Sequence, residues 1–452
     1  MGNRAETSTG GGTDSSYKTL DLALRVGEVL LSSGAGAADV GATMLNVAHA
    51  CGLRGATADV TFTELAMSHQ RAFDEPAMIQ IRQVRHREID YDDLTRVDHL
   101  VRDLVNGRID RDEAGARLAR IVSSGHRLPR WAVTLGWGAM GAGVGLLVGG
   151  NGVVTLIAGV AAMAVDLLQR RMSRRRLPGF YQQVAGGLLA TLVAVGAAAA
   201  DVGVSPSLVV TAGIIMLLAG INFMGAIQDA LTGFPLTAGA RILEALLATA
   251  GVIAGVSGGL TLGRILGVNL GRLEPGATAL SDLPVMSIGA GVAAAAFALA
   301  SYAPVRSLLP IALIGAVAEA VFSLAQDQGV GVAWSSATAA VVIGLVSYAV
   351  AGRVRVPPLV VVVPAIVPLL PGLSIYRGLS LLAEGGNGLL SMINAAAIAI
   401  ALASGVIFGE YVAQPLKREA RRLESRLSGP RLVGPVRARS TGRRRVRRAA
   451  IR

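Results

Sequence analysis

The sequence predicts an α-helical membrane protein with ten transmembrane helices in a 5+5 inverted repeat and a small N-terminal cytoplasmic α+β domain. Its 452 residues are 52% hydrophobic and only 16% charged, and the mean hydropathy is +0.55. An ordinary soluble domain is about 25% charged. The chain also contains ten apolar segments after residue 130, and two of these segments are interrupted by glycine or proline in a similar pattern. These three observations exclude a soluble globular protein.

Residues 1–130 are polar, which predicts a soluble domain. Residues 1–17 are glycine-rich and expected to be disordered, and no apolar segment follows that would indicate a cleaved signal peptide. Residues 18–130 are predicted to form the α+β domain, with four helices and two strands indicated by periodicity and capping residues. The helices are expected at 20–31, 37–51, 90–105 and 110–122, and the strands at 57–67 and 77–84.

The apolar region from 131 to 413 is predicted to cross the membrane. Most of its segments approach the ~20 residues that a helix needs to span a bilayer. We divide them into a first five-helix repeat at 131–263 and a second at 285–413. The segments centre on 131–150, 153–169, 180–200, 207–220, 240–262, 285–303, 307–325, 332–352, 357–371 and 388–413.

The distribution of arginine predicts the orientation. Five arginines lie between residues 170 and 176, after the second segment. Cytoplasmic loops carry the excess of basic residues, so this loop and both termini are expected in the cytoplasm. The tail at 415–452 holds 14 basic and two acidic residues, which accounts for the whole net charge of +12. We expect it to contact anionic membrane lipids, and nothing aromatic or folded in it supports nucleic-acid binding.

The fourth and ninth segments are short and are interrupted by glycine or proline. Residues 205–210 match 356–361 in pattern, and 217–221 match 369–373 after a one-residue slip. Five helices per half is an odd number, so the halves must be inverted relative to each other. Interior prolines free carbonyl groups that lipid cannot satisfy. Such breaks at corresponding positions indicate a secondary transporter with its substrate site there, and a merely kinked helix is the structural alternative.

Charged residues within or next to the apolar segments are the first candidates for function, because charge within a span is costly. Glu319 lies deep in an apolar segment. It is the candidate carrier of a coupling proton, and a packing hydrogen bond is the alternative. Asp229 follows the first break, either as a cytoplasmic gate or as a solvated loop acid. Glu244 lies three residues after Arg241, which predicts a local surface pair.

The second break supplies further candidates. Arg377 follows Tyr376 just beyond it, where the planar guanidinium could clamp a substrate carboxylate. An interfacial arginine beside an anchoring tyrosine is the alternative. The remaining candidates for the substrate and ion path are the residues of the breaks and two nearby asparagines: Gly220, Asn222, Pro364, Pro368, Pro371, Gly372 and Asn394.

The sequence offers little for catalysis or metal binding. Cys51 is the only cysteine, which excludes an intramolecular disulfide and a cysteine metal cluster. All five histidines precede the apolar region. Residues 1–130 contain no Gly-x-Ser-x-Gly or His-Glu-x-x-His motif. We expect no cofactor, no metal and no enzyme activity, and we keep a membrane-anchored enzyme or signalling protein acting through residues 1–130 as an alternative.

Three stretches resemble the bacterial threonine/serine exporter (ThrE) family: 21–37, 126–131 and 363–379. The third is the most specific, and the equivalent first break carries Ala219 where the family usually has proline. The resemblance implies export of threonine and serine from the cytoplasm across the bacterial plasma membrane, driven by the proton motive force. Related two-chain proteins are linked to dicarboxylate export, so a dicarboxylate exporter is a second alternative. Self-association is left open.

Overall fold

The computed structural model is built almost entirely of helices. It describes residues 9–72, 74–84, 87–126, 128–200, 206–217, 220–268, 280–383 and 386–427. The described residues up to 413 form one compact unit, and the described residues 414–427 belong to a second. The predicted basic tail therefore lies outside the described residues from 428 onward.

The N-terminal part contains four helices and one three-stranded antiparallel sheet, with the strands in the order β1-β2-β3. The helices are α1 (Thr9–Ser32), α2 (Ala37–Ala50), α3 (Tyr91–Val105) and α4 (Arg111–Ser123), and the strands are β1 (Ala56–Val60), β2 (Glu64–His69) and β3 (Met78–Gln83). All four predicted helices are present. Asp90 and Asp110 cap α3 and α4 by accepting hydrogen bonds from backbone N–H groups of the first turn.

Two expectations for this part are wrong. Residues 9–17 are helical rather than disordered, because Arg111 of α4 donates to the carbonyl and hydroxyl oxygens of Ser15, both at 2.9 Å. The predicted strand at 57–67 is instead the hairpin of β1 and β2, closed by the Thr61 N–H donating to the Glu64 carbonyl at 2.9 Å. The turn contains no Gly, Pro, Asn or Asp, the residues that normally identify a turn in a sequence.

Twelve helices follow among the described residues. The first six are α5 (Arg130–Leu147), α6 (Gly152–Arg174), α7 (Gly179–Ala199), α8 (Pro206–Ile214), α9 (Gly220–Leu231) and α10 (Pro235–Ile265). The next six are α11 (Leu283–Ala300), α12 (Val305–Asp327), α13 (Val332–Val354), α14 (Leu359–Ile366), α15 (Gly372–Ala383) and α16 (Leu389–Leu427). Short 3₁₀ turns extend α8 and α14.

Seven of the described helices are long and apolar enough to cross a membrane, and nine spans result if each of two bent pairs counts as one. The bent pairs are α8 with α9, at 45°, and α14 with α15, at 46°. They occupy the fourth and ninth predicted segments. The glycine-rich α5 occupies the first predicted segment and is not among the nine, so the count of ten spans stays a prediction.

Glycine lets the long helices approach each other closely. A β-carbon added to Gly187 of α7 would lie 2.8 Å from the Val252 carbonyl oxygen of α10, and one added to Gly344 of α13 would lie 2.5 Å from the Val406 carbonyl oxygen of α16. The pair α5 and α6 and the pair α11 and α12 also pack through glycine. Packing through small residues is the usual way in which helices associate within a bilayer.

The N-terminal part is held against the helices that follow by buried polar contacts. Asp229 of α9 is 1% exposed, and it accepts a hydrogen bond from the backbone N–H of Ala37, the first residue of α2, at 3.0 Å. It also pairs with Arg241 of α10, with 3.2 Å between Oδ2 and Nε. Asp229 is therefore not a solvated loop acid. The expected local pair between Arg241 and Glu244 is replaced by this longer-range one.

A second contact joins α3 to the second half of the helical region. The Tyr91 N–H donates to the Ser301 carbonyl at 2.9 Å, and the Tyr91 ring meets the Phe297 ring edge-on with centroids 6.5 Å apart. Tyr91 is fully buried. The N-terminal part therefore contacts both halves of the helical region, through α9 and α10 on one side and through α11 on the other.

The packing of α7 against α10 can be tested with Gly255→Ala. The new β-carbon would lie 2.1 Å from the Val184 carbonyl oxygen, so the two backbones would have to separate. We expect a loss of about 1–3 kcal/mol in stability, measured as a lower Tm of the purified protein in detergent. Gly258→Ala on the same helix is the control, since its nearest neighbour is a leucine methyl at 4.0 Å. Equal melting temperatures for the two variants would contradict this account.

The Asp229 contact is tested with Asp229→Asn. Removing one partner leaves the largely buried Arg241 without its counter-charge, and breaking a buried pair costs about 3–5 kcal/mol. We expect a lower Tm for the single variant and a partial recovery when Arg241→Gln is added, because no charge then stays unpaired. Asp14→Asn, which breaks an exposed pair with Lys18, should change the Tm little. Strictly additive losses in the double variant would rule out the coupling.

Candidate functional site

A cavity of about 470 Å³ lies between the two bent helix pairs. Its walls come from both halves of the helical region, including α5, α8, α9, α12, the 3₁₀ turn after α14, and α15. Most of the lining is apolar, with a small number of polar groups distributed among the helices. This combination of apolar walls and a few convergent polar groups is typical of small-molecule sites.

The two breaks meet at this cavity. A β-carbon added to Gly220, where α9 begins, would lie 3.0 Å from the β-carbon of Leu370 and 3.4 Å from the backbone nitrogen of Gly372, where α15 begins. Each helix therefore starts at the cavity wall. The first N–H groups of a helix have no partner within it, and the helix dipole adds a partial positive charge at that end. Two such ends facing one cavity favour an anionic group.

Glu319 is the only ionisable side chain among the described residues that line the cavity. It lies on α12, is 3% exposed, and accepts a hydrogen bond from the Ser323 hydroxyl at 3.2 Å. The packing hydrogen bond given as its alternative role is thus present. That bond uses one carboxylate oxygen and leaves the carboxylate available to a second partner from the cavity.

Polar atoms that lack a partner also face the cavity. The Thr211 hydroxyl oxygen and the Gln183 amide oxygen are both buried and make no hydrogen bond within the described part of the chain. Buried polar groups in folded proteins are nearly always hydrogen-bonded. Together with Asn222, Ser336 and Ser374 they supply donors and acceptors for a polar molecule.

The structure brings together about half of the residues that the sequence analysis selected. The residues that line the cavity are Glu319, Gly220, Asn222, Pro368, Pro371 and Gly372. Thr211, Gln183 and Ser336 line it as well, and sequence reasoning missed them. A polar residue within an apolar segment was the available signal, but serine and threonine also satisfy their own helix backbone, as Ser336 does toward Val332 at 2.9 Å.

Five other candidates are not among the cavity-lining residues. Asp229 holds α2, as described above, and Pro364 is buried within α14. Tyr376 is 4% exposed and packs in a cluster with residues of α6, α7, α8 and α10. Arg377 is half-buried, and Asn394 lies on an exposed face of α16. A role for these five in the substrate path stays a prediction.

Ser68 and His69 are adjacent on β2 of the N-terminal part, and the Ser68 hydroxyl has a partner on β1. The Ser68 hydroxyl shares a hydrogen bond of 2.6 Å with the Thr57 hydroxyl across the hairpin, rather than with a histidine. No group of three or more His, Cys, Asp or Glu side chains that could hold a metal ion occurs in the described ranges.

Comparison with known proteins agrees with the resemblance in the sequence. A family model described as a threonine/serine exporter matches residues 21–263, and one described as "Threonine/Serine exporter, ThrE" matches residues 286–412. The chain is 36% identical over 452 residues to the "Probable threonine/serine exporter" of Mycobacterium tuberculosis (strain ATCC 25618 / H37Rv), covering 96% of this chain and 85% of that protein.

A second relative gives the same result. The chain is 34% identical over 410 residues to the "Threonine/serine exporter" of Corynebacterium glutamicum, covering 89% of this chain and 84% of the relative. No solved structure matches the chain. With its several membrane-spanning helices, the chain is a multi-pass membrane protein that belongs to the threonine/serine exporter family.

Proposed function

We propose that the protein exports threonine and serine from the cytoplasm in exchange for protons, with Glu319 as the proton carrier. The observation that carries this proposal is that the described lining of a cavity where two helix N-termini meet holds a single buried carboxylate. Both named relatives are called threonine/serine exporters, which supports the choice of substrate.

A small hydroxy amino acid matches the groups around the cavity. Its carboxylate suits the N-termini of α9 and α15, where backbone N–H groups and the helix dipoles favour negative charge. Its ammonium group suits ionised Glu319, and its hydroxyl suits Thr211 or Gln183. The volume of about 470 Å³ exceeds that of such a molecule and leaves space for bridging water.

Export of the amino acid is coupled to entry of protons if the proton and the ammonium group compete for the Glu319 carboxylate. Protonated Glu319 cannot form an ion pair, so proton uptake from outside releases the amino acid there. Loss of the proton to the cytoplasm restores the charge that binds the next ammonium group. Each state of Glu319 then favours one of the two cargoes, and exchange requires no second ionisable group in the cavity.

A dicarboxylate fits this cavity less well. The described lining contains no arginine, lysine or histidine, and its one ionisable group is itself a carboxylate. A dianion would be placed near Glu319 with only helix N-termini to offset the repulsion. A zwitterion supplies the positive charge that Glu319 needs, so the amino acid is the preferred cargo.

We also propose ten spans in a 5+5 inverted repeat, with both termini and the N-terminal α+β domain in the cytoplasm. What supports the repeat is matched packing. In the first half α6 contacts α5, α7 and α8, and in the second half α12 contacts α11, α13 and α14. The bends of 45° and 46° also occupy equivalent places. The arginines at 170–176 support the cytoplasmic side, and the basic tail suits anionic lipid.

In this arrangement the N-terminal domain acts as a cytoplasmic gate. Its support is the bond from Ala37 of α2 to Asp229, which lies on the helix that begins at the first break. A displacement of α2 would therefore act directly on α9. The membrane would be the bacterial plasma membrane, across which a proton motive force is maintained.

The direct test is efflux from cells preloaded with labelled threonine. We expect efflux that depends on this protein and that collapses when a protonophore is added. Efflux that persists with the protonophore would refute coupling to protons, and the absence of threonine and serine efflux would refute the substrate assignment.

Glu319→Gln tests the residue itself. The amide keeps the size and the hydrogen bond with Ser323 but cannot exchange a proton or pair with an ammonium group. We expect protonophore-sensitive efflux to be lost, while the amount of folded protein in the membrane is unchanged. Asp327→Asn, at the exposed end of the same helix, should transport normally. Wild-type transport by Glu319→Gln would overturn the assignment of Glu319.

A further inference from the structure

A second, smaller cavity of about 150 Å³ lies between the N-terminal part and the helical region, and we call it the vestibule. Its walls come from the end of α1, the connection to α2, the segment before α3, and from α9, α10 and α14. Ile89, Ile221 and Asn222 line both the vestibule and the central cavity. The two cavities therefore adjoin at Asn222, next to the first break.

The vestibule contains two arginines with different surroundings. The Arg241 guanidinium is 11% exposed and is neutralised by Asp229 at 3.2 Å. The Arg87 guanidinium lies 3.8 Å from the centre of the Phe62 ring and donates to the Phe62 carbonyl. No ion pair involves Arg87 within the described ranges, and its Nε is buried without a partner there.

The electrostatics around Arg87 favour an anion. Burial, and then the charge of Arg241, lower the pKa of Arg87 to about 10, although the carboxylates of Glu244 and Asp229 act in the opposite direction; the cationic form is therefore disfavoured at this position. Arginine stays protonated at neutral pH even so. A carboxylate held against Arg87 would relieve this cost, and the planar guanidinium has free donors to form charge-assisted hydrogen bonds with it.

The rest of the vestibule suits the other groups of an amino acid. The carboxylates of Glu88 and Glu244 line it and are exposed, so they can face an ammonium group. Asn222 and Gln228 add amide donors and acceptors. A cavity of about 150 Å³ holds a molecule the size of benzene, which is close to the size of serine or threonine.

We propose that the vestibule is an access site for the transported amino acid, in which Arg87 binds the α-carboxylate before the molecule passes Asn222 into the central cavity. This site rests on the proposed export function and adds to it a first binding position on the cytoplasmic side. It also assigns a role to the N-terminal part, since Arg87 belongs to the segment between β3 and α3.

The test uses inside-out membrane vesicles, in which export appears as uptake of labelled threonine. For Arg87→Gln we expect the half-saturating threonine concentration to rise about tenfold or more, because a charge-assisted hydrogen bond is lost. The maximal rate should change much less, since the central cavity is intact. Arg82→Gln is the matched control, because this arginine lies on β3 and pairs with Glu28 and Asp21 outside the vestibule.

Two results separate the failure of this proposal from the failure of the export function. If wild-type vesicles accumulate no threonine, both are overturned. If they do, and the half-saturating concentration of Arg87→Gln equals that of the wild type, only the vestibule site is overturned. Threoninol, which lacks the carboxylate, should compete with threonine more poorly in the wild type than in Arg87→Gln.

A labelling experiment covers the case in which Arg87→Gln fails to fold. Cys51→Ala removes the only cysteine, and Glu88→Cys places a single thiol on the wall of the vestibule. We expect threonine to slow modification of this thiol by a charged methanethiosulfonate reagent, whereas threoninol at the same concentration should not. Equal rates with and without threonine would overturn the proposal.

Discussion

The contact between the two helix breaks is the constraint on which the rest of the structure depends. Helix α9 begins at Gly220 against Leu370 and the backbone nitrogen of Gly372, where α15 begins. Unpaired backbone groups at such ends are not tolerated in lipid and must lie within protein or against a water-filled cavity. The surrounding helices therefore enclose the breaks, and the cavity with Glu319 is the space that results. A side chain at Gly220 would separate the two ends.

The sequence predicts some of the residues that line this cavity and misses others. Prolines at 364, 368 and 371 identify the second break because proline removes a backbone donor, and a glutamate within an apolar span is conspicuous because it is costly. Thr211 and Gln183 could not be selected in this way, since threonine and glutamine at helix positions are common and most of them satisfy local partners. Their role depends on which way each helix faces, and a single sequence does not fix that rotation.

A single sequence also does not show which of the selected residues lie away from the cavity. Arg377 follows the second break in the chain, yet a helix turns by about 100° per residue, so nearness in sequence does not place a side chain in the cavity. Asp229 depends on a contact 192 residues away in the chain, at Ala37, which no local pattern encodes. The single strand predicted at 57–67 is a hairpin in the structure because the turn between β1 and β2 contains none of the residues that normally identify a turn.

The isolation of Glu319 has an electrical consequence. With one ionisable group in the described lining, the cavity carries a negative charge when the carboxylate is ionised and none when it is protonated. A zwitterionic cargo adds no net charge, so under the proposed exchange the amino-acid-carrying step moves negative charge outward. A membrane potential that is negative inside assists this step, by up to about 2.3 kcal/mol per 100 mV for a charge crossing the whole field. The return step with the proton is electrically silent and responds to the pH difference alone. Under the proposed exchange, one carboxylate in an otherwise uncharged described lining would make one half of the transport cycle respond to the membrane potential and the other half to the pH difference.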